Sequence, residues 1–266
     1  MNFEPIQFSD LSVITALSPE GWGNVPIKIQ HYIESPFCFP IKLLVDQKIV
    51  AIGTTIIHSN VAWLGHIIVA PDERGKGYGK QTTQELIRIA NNKKCNSIQL
   101  IATDMGAPVY TKLGFKESSS YLFFDDIQAP HLEEADNNIQ QYQSRYKKQL
   151  LRLDLTTAAE NRRCEIEPHF ISGFLYVKNQ TLRGYYFPSL GEGLIVANEQ
   201  AAGMALLKMY LMQNSKVVLP KENTTAVSFL LNQGYPIKRQ AKRMYLGENI
   251  DVQFQSIFNR IGGNLG

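Results

Sequence analysis

The sequence predicts an α/β (α+β) fold made of two related halves, and three observations carry that reading. Short apolar runs of strand length alternate with segments whose apolar residues recur at helical spacing. A glycine-rich turn, Arg74-Gly75-Lys76-Gly77-Tyr78-Gly79, ends an apolar strand and opens an amphipathic helix. The order of elements around that turn recurs in the second half of the chain.

Taken in order, residues 3–6 read as an edge strand. Residues 10–17 and 25–33 carry helix-spaced apolar side chains on either side of the turn Pro19-Glu20-Gly21-Trp22-Gly23. Residues 41–45 and 48–58 are expected as a hairpin across Asp46-Gln47, followed by a strand over 62–69. The helix over 77–92 turns Thr83, Leu86, Ile87 and Ala90 to one side and leaves Lys80, Gln84, Arg88 and Asn91 for water. A strand over 97–103, a short helix over 107–113 stopped by Gly114, and a strand pair over 115–124 complete the first half.

Residues 126–152 change character, with Glu133, Glu134, Asp136, Gln140, Gln141, Lys147 and Lys148 among few large apolar groups. They predict a polar helix over 131–150 and three regions: a domain over 1–126, a linker over 127–152 and a domain over 153–266. The second half then reads as strands over 182–187, 193–197 and 216–219, with helices over 200–212 and 225–233.

Composition limits the partners. A chain of 266 residues, 44% apolar and 19% charged, can bury the core of one large or two modest domains. Its net charge of +3, without a Lys/Arg block, argues against a nucleic-acid partner. No stretch has 18 uninterrupted apolar residues and Met1-Asn2-Phe3-Glu4-Pro5 is no signal sequence, so no membrane partner and a cytoplasmic location are expected. Cys38, Cys95 and Cys164 are far apart and outside any ligand spacing, which predicts three reduced thiols, and the five histidines suggest no metal.

The chemistry lies in the glycine-rich turn. Gly75, Gly77 and Gly79 let several main-chain N–H groups converge where the positive end of a helix dipole also lies, with Pro71 fixing the approach and Arg74, Lys76 and Lys80 adding charge. The result is a pyrophosphate cradle. A Walker loop is excluded, because the position five before Gly79 is Arg74 and Gln81 follows Lys80; a dinucleotide G-x-G-x-x-G is excluded, because Lys80 stands third after Gly77.

The form that fits, R-x-x-G-x-G from Arg74 to Gly79, resembles the acyl-CoA loop of GNAT-type N-acetyltransferases. Downstream, Ala107-Pro108-Val109-Tyr110-Thr111-Lys112-Leu113-Gly114-Phe115 resembles that superfamily's second signature, and Gly21-Trp22-Gly23 and the strand around Val61 to Gly65 are similar to one bacterial subgroup. The resemblance covers roughly residues 1 to 125. It implies a mixed, mostly antiparallel sheet with splayed central strands flanked by helices, and then a second GNAT-like domain.

The resemblance also implies a reaction: transfer of an acetyl group from acetyl-CoA, with CoA as product, to a small-molecule or peptide amine. Tyr110 takes the place of the acid that protonates the leaving thiolate, a task a phenol can perform on chemical grounds alone. Ile67, Ile68 and Val69 are expected along the coenzyme, with the N–H groups of Ile68 and Val69 near the acyl carbonyl. Arg74, Gly75, Lys76, Gly77, Tyr78, Gly79 and Lys80 are expected at its pyrophosphate, and Asp104 beside them as the N-cap of the Tyr110 helix. Trp22 and Trp63, with Tyr185 and Tyr186, are either an aromatic wall for the acceptor or core.

No base is found by counting. The positions that share a face with Val69 are Ile67, Gly65 and Trp63, while His66 falls on the opposite face unless a bulge reverses the parity, which leaves a water relay as the alternative. In the second half, Val196 to Ala205 takes the place of the cradle without its arginine, proline and paired glycines, and Leu230 stands where the phenol would be, so one active centre per chain is expected. A monomer or homodimer is expected. Two other functions stay open: a noncatalytic acyl-CoA sensor, and transfer of a different acyl group.

Overall fold

The computed structural model describes residues 1–19, 22–130 and 136–265. The chain divides into two compact units built from interleaved segments, where the sequence suggests consecutive ones. Unit 1 holds Met1–Lys116, Met244–Asn249 and Gly263–Leu265; unit 2 holds Glu117–Arg243 and Ile250–Gly262.

Unit 1 begins with β1 (Asn2–Pro5), α1 (Leu11–Leu17) and α2 (Val25–Glu34). Asn24 starts α2 by accepting the Ile27 N–H at 3.2 Å, and Pro26 suits the first turn, where no donor is required. Next come β2 (Cys38–Val45), β3 (Lys48–His58) and β4 (Val61–Val69), then α3 (Tyr78–Asn92), β5 (Ser97–Ala102) and α4 (Ala107–Lys112). The first four strands are antiparallel neighbours in chain order, and β5 joins β4 in parallel, as a crossover through α3 requires. Residues 244–247 lie outside β5, where Met244 and Leu246 join the core.

The β2–β3 turn is tight because Asp46 and Gln47 both adopt left-handed backbone, with φ of 47° and 66°, whose twist matches the flanking strands. Helix α3 turns Leu86 and Ala90 onto Ala62, Leu64, Ile98 and Leu100. It lies close to β3 because Gly53 has no side chain: a Cβ there would stand 2.8 Å from Leu86 Cδ1. Lys42 is buried and its ammonium is answered by both Asp10 oxygens at 2.8 and 2.9 Å.

Unit 2 takes up β6 (Lys116–Phe124), β7 (Ile139–Gln141), α5 (Lys147–Ala158), α6 (Arg163–Ile166), β8 (Phe174–Lys178), β9 (Thr181–Phe187) and β10 (Leu194–Ala197). It continues with α7 (Gln200–Leu211), β11 (Val217–Pro220), α8 (Thr224–Asn232), β12 (Arg239–Gly247, its residues to Arg243) and β13 (Ile257–Asn259). One layer runs β13-β10-β9-β8-β7 and another places β6 between β12 and β11. Leu122 and Phe124 from β6, Val217 and Leu219 from β11, Tyr186 and Ile195 from the other layer, and Leu206, Leu207 and Leu230 from α7 and α8 form its core.

Two expectations need correction, and one choice left open is decided. The polar helix over 131–150 does not form as such: residues 131–135 lie outside the described residues, Ile139–Gln141 pair as a strand with β8, and the helix begins at Lys147. Burial explains the shift, since Leu150, Leu153 and Asp154 of α5 are buried and a solvated connector has no such face. The pair of strands over 115–124 is one continuous strand, β6. Tyr185 and Tyr186 are buried, at 0% and 7% exposure, and belong to the core of unit 2.

Candidate functional site

The loop between β4 and α3 is built as the glycines suggest. Gly75 and Gly77 have φ of 80° and 86°, a region that costs other residues about 1–2 kcal/mol. A Cβ at Gly75 would meet nothing within 4 Å, so backbone conformation and not space selects glycine there. Gly77 is the N-cap of α3 and offers no side chain to the first turn. Consequently the main-chain N–H groups from Gly75 through Lys80 have no acceptor among the described residues, at the positive end of a 15-residue helix. Such an array can accept a polyanion.

The charged side chains divide unevenly around it. Lys76 is paired with Glu73 at 2.8 Å, and Arg74 turns its Nε toward the Val69 carbonyl at 3.4 Å. Lys80 is exposed. The one ion pair, on an exposed lysine, is weak and leaves its cation available to a ligand.

Beside the loop the sheet opens. Parallel pairing of β4 with β5 runs from Val61↔Ser97 to Trp63↔Gln99 and then stops, so among the described residues no strand pairs with that edge of β4 beyond Trp63. Ala70 N–H goes to Val50 O at 2.9 Å, and main-chain groups alternate along a strand. The Ile68 N–H therefore points toward β3 and the Val69 N–H toward the open edge. Of the two amides expected near an acyl carbonyl, Val69 qualifies and Ile68 does not. Ile67 turns toward α3, 3.6 Å from a Cβ built on Gly53.

Tyr110 packs against the cluster that includes Leu64, Leu100 and Ala102, at the point where the two strands part. Its ring meets Phe115 edge-on at 5.9 Å and lies over Gly106, where a Cβ would stand 2.8 Å from the ring and 3.4 Å from the hydroxyl oxygen. Burial pushes the phenol up to about 12, which keeps it protonated. Asp104 is not the cap of α4: that place belongs to Gly106, whose N–H is taken by Thr103, through its Oγ1 at 3.2 Å and its carbonyl at 3.0 Å. Asp104 stays exposed.

His66 interrupts the parity count. Ile52 faces Ile68 and Thr54 faces Gly65, so two residues of β4, His66 and Ile67, oppose Gly53. This is a β-bulge with His66 at φ 50°. It sends His66 to the side of α2, where Nδ1 lies 3.0 Å from the Tyr32 hydroxyl. Trp22, 43% exposed, meets the imidazole edge-on at 6.3 Å. Burial first, and the nearby Lys28 charge second, hold the imidazole down to about 4, so it is neutral near pH 7. Trp63 is fully buried at 0% exposure and cannot line an acceptor wall.

Residues 11–115 match the profile of the acetyltransferase (GNAT) family. These residues are a GNAT domain.

Across its whole length the chain is similar in fold to a protein from Pyrococcus horikoshii assigned provisionally as an acetyltransferase, with a TM-score of 0.82 at 15% identity over 100% of this chain and 95% of that one. It is also similar to a tandem GNAT protein from the clavulanic acid biosynthesis pathway, with a TM-score of 0.61 at 12% identity over 94% and 99% of the two chains. Among curated proteins it resembles glucosamine 6-phosphate N-acetyltransferase of Trypanosoma brucei brucei, 28% identical over 83 residues, or 31% of this chain. The chain spans about half, 53%, of that relative's length.

The tandem GNAT likeness extends to unit 2, but the GNAT cradle does not. Helix α7 starts at Glu199, whose carboxylate sits near Lys178 and Arg183, where an anion-binding loop has open amides. Gly203 serves packing instead, since a Cβ there would overlap the Phe258 ring at 2.0 Å. Leu230, in the place of the phenol, is fully buried. Among the described residues no cluster of His, Cys, Asp and Glu suits a metal ion, and no helix is long and apolar enough to cross a membrane.

Proposed function

We propose that this chain transfers an acetyl group from acetyl-CoA to a primary amine by direct attack, at a single centre in unit 1. The observation that carries the reading is the run of unanswered main-chain amides from Gly75 to Lys80, next to a strand edge freed where β5 leaves β4. In this reading those amides, with Arg74 and Lys80, hold the coenzyme's diphosphate, and the Val69 N–H serves the acyl oxygen. Bound acetyl-CoA supplies an acyl group activated as a thioester.

Tyr110 supplies hydrogen to the departing sulfur. Its raised pKa keeps the phenol protonated, so that it meets the developing thiolate as a hydrogen donor, and the proton that the amine releases to water balances the one that the sulfur takes up. Trp22 flanks the acceptor. The amine gives up its proton to water, since the one histidine on this part of β4 is engaged by Tyr32. The acceptor is a small-molecule or peptide amine, and the setting is taken to be cytoplasmic, as a monomer or homodimer.

Isothermal titration with acetyl-CoA and CoA, followed by a thiol-release assay over a panel of amines, tests this. Heat with both nucleotides and thiol released with at least one amine is the expected result. Heat without thiol across the panel supports a sensor and overturns the transfer reading; absence of heat overturns both.

A further inference from the structure

One cation of the cradle already has a partner. Lys76 gives its ammonium to Glu73 Oε2 at 2.8 Å, and the other oxygen of that carboxylate lies 3.7 Å from Lys48 Nζ, at the start of β3. Lys48 in turn holds Asp72 at 2.9 Å. Glu73 is gripped from two sides: its side chain is 16% exposed, whereas both lysines are more than half exposed.

The backbone keeps this carboxylate in place. Pro71 opens a single 3₁₀ turn over Pro71–Glu73, and the Glu73 N–H closes it onto the Ala70 carbonyl at 2.9 Å. Two residues later the run of unanswered amides begins at Gly75. A negative charge thus stands beside a loop whose amides and helix end favour anions.

We infer that Glu73 is a counter-ion built into the cradle: it occupies Lys76 until a diphosphate displaces it, and so loosens the hold on the coenzyme, with Lys48 as the cation that receives the displaced carboxylate. The inference rests on the acetyl-transfer reading for the identity of the diphosphate.

The effect follows from charge. An exposed Lys–Glu pair is weak, so a ligand with two adjacent phosphoryl groups can draw the lysine away. Glu73 then stands near the ligand as a like charge, and Lys48 limits the repulsion by taking it up. Acetyl-CoA and CoA carry the same diphosphate, so substrate and product are loosened alike, which lowers uniform binding without touching acyl transfer.

The test is calorimetry of the full chain with CoA and with inorganic pyrophosphate, beside thiol-release kinetics. At about 0.01 M salt, Glu73→Gln should bind both ligands at least about 3-fold more tightly than wild type. It should lower the KM for acetyl-CoA and the inhibition constant of CoA by a similar factor, with the KM for the amine within about 2-fold of wild type. At about 1 M salt, where screening sets in beyond about 3 Å, the gain should vanish. Lys48→Gln should weaken CoA binding, and by less in the Glu73→Gln background, where no displaced carboxylate needs a cation. Unchanged or weaker binding in Glu73→Gln at low salt overturns the counter-ion, and so does a gain that survives high salt, which would come from loop structure and not from charge. Equal losses from Lys48→Gln in both backgrounds overturn the role of Lys48. Wild-type protein that binds pyrophosphate but not CoA, with the Glu73→Gln gain intact, sinks the acetyl-transfer reading alone; no heat with either ligand sinks both.

Discussion

The Tyr110 ring lies against the Cα of Gly106, so closely that a single added carbon would stand 2.8 Å from it. Gly106→Ala should therefore move the phenol and lower kcat without raising KM for acetyl-CoA in proportion. Tyr110→Phe, which keeps the ring and removes the hydroxyl, should lower kcat by about 100-fold. Steady-state thiol release at saturating acetyl-CoA measures both, and unchanged kcat in Tyr110→Phe removes the phenol from the mechanism.

The cradle glycines are predicted to matter through backbone conformation. Gly75→Ala meets open space but must hold φ near 80° at a cost of about 1–2 kcal/mol, and Gly77→Ala faces the same cost at the N-cap of α3. Each should weaken CoA binding by about 10-fold in calorimetry as the loop relaxes and the amides diverge.

Acid should destabilise the protein through His66. Its folded pKa of about 4 lies below the ordinary 6.5, so between these values the unfolded chain binds more protons at this site and stability falls as pH falls. Above pH 6.5 the contribution is flat, and below about 4 the loss is complete, on the order of 3 kcal/mol. Thermal melts from pH 7 to 4 should show a slope that is smaller in His66→Gln. Tyr110, at about 12, should add no limb to the activity profile below about pH 11.

Asp154 of α5 is 2% exposed and receives Arg162 through Nη2 at 2.8 Å and Nε at 3.1 Å, with the Tyr185 hydroxyl as a further donor. Removing the guanidinium leaves a buried carboxylate without its counter-charge. Arg162→Leu should destabilise by about 3–5 kcal/mol in urea unfolding, whereas the double replacement of Asp154 and Arg162 by apolar residues should recover much of the loss.

The β2–β3 turn offers a gain. Gln47 holds φ 66° without glycine's freedom, so Gln47→Gly should raise stability by about 1 kcal/mol, read as a higher urea midpoint at unchanged slope.

Much of unit 1 could be read from the sequence because its signals are local. Asp46-Gln47 marked a hairpin, the glycines marked the loop that they shape, and the stripe of Leu86, Ile87 and Ala90 marked α3. What could not be read depends on partners distant in the chain. Ile139–Gln141 look like connector until β8 pairs with them. At the site, counting by two fails at His66 because a bulge is set by the register of β3 against β4, which no window along one strand contains. The clue lay in Gly65 beside a histidine, the residue type among those more tolerant of left-handed backbone.

The interleaving of the two units bears on how the chain is made. Residues up to Lys116 leave the ribosome early, yet Met244–Asn249 and Gly263–Leu265, which belong with them, arrive after nearly all of unit 2. The nascent first unit must wait, with the flank of β5 uncovered and Tyr32 without its amide partner, Asn264, until those two segments have been made. A polypeptide stopped at Arg243 would retain every cradle residue and Tyr110, and still lack what steadies His66.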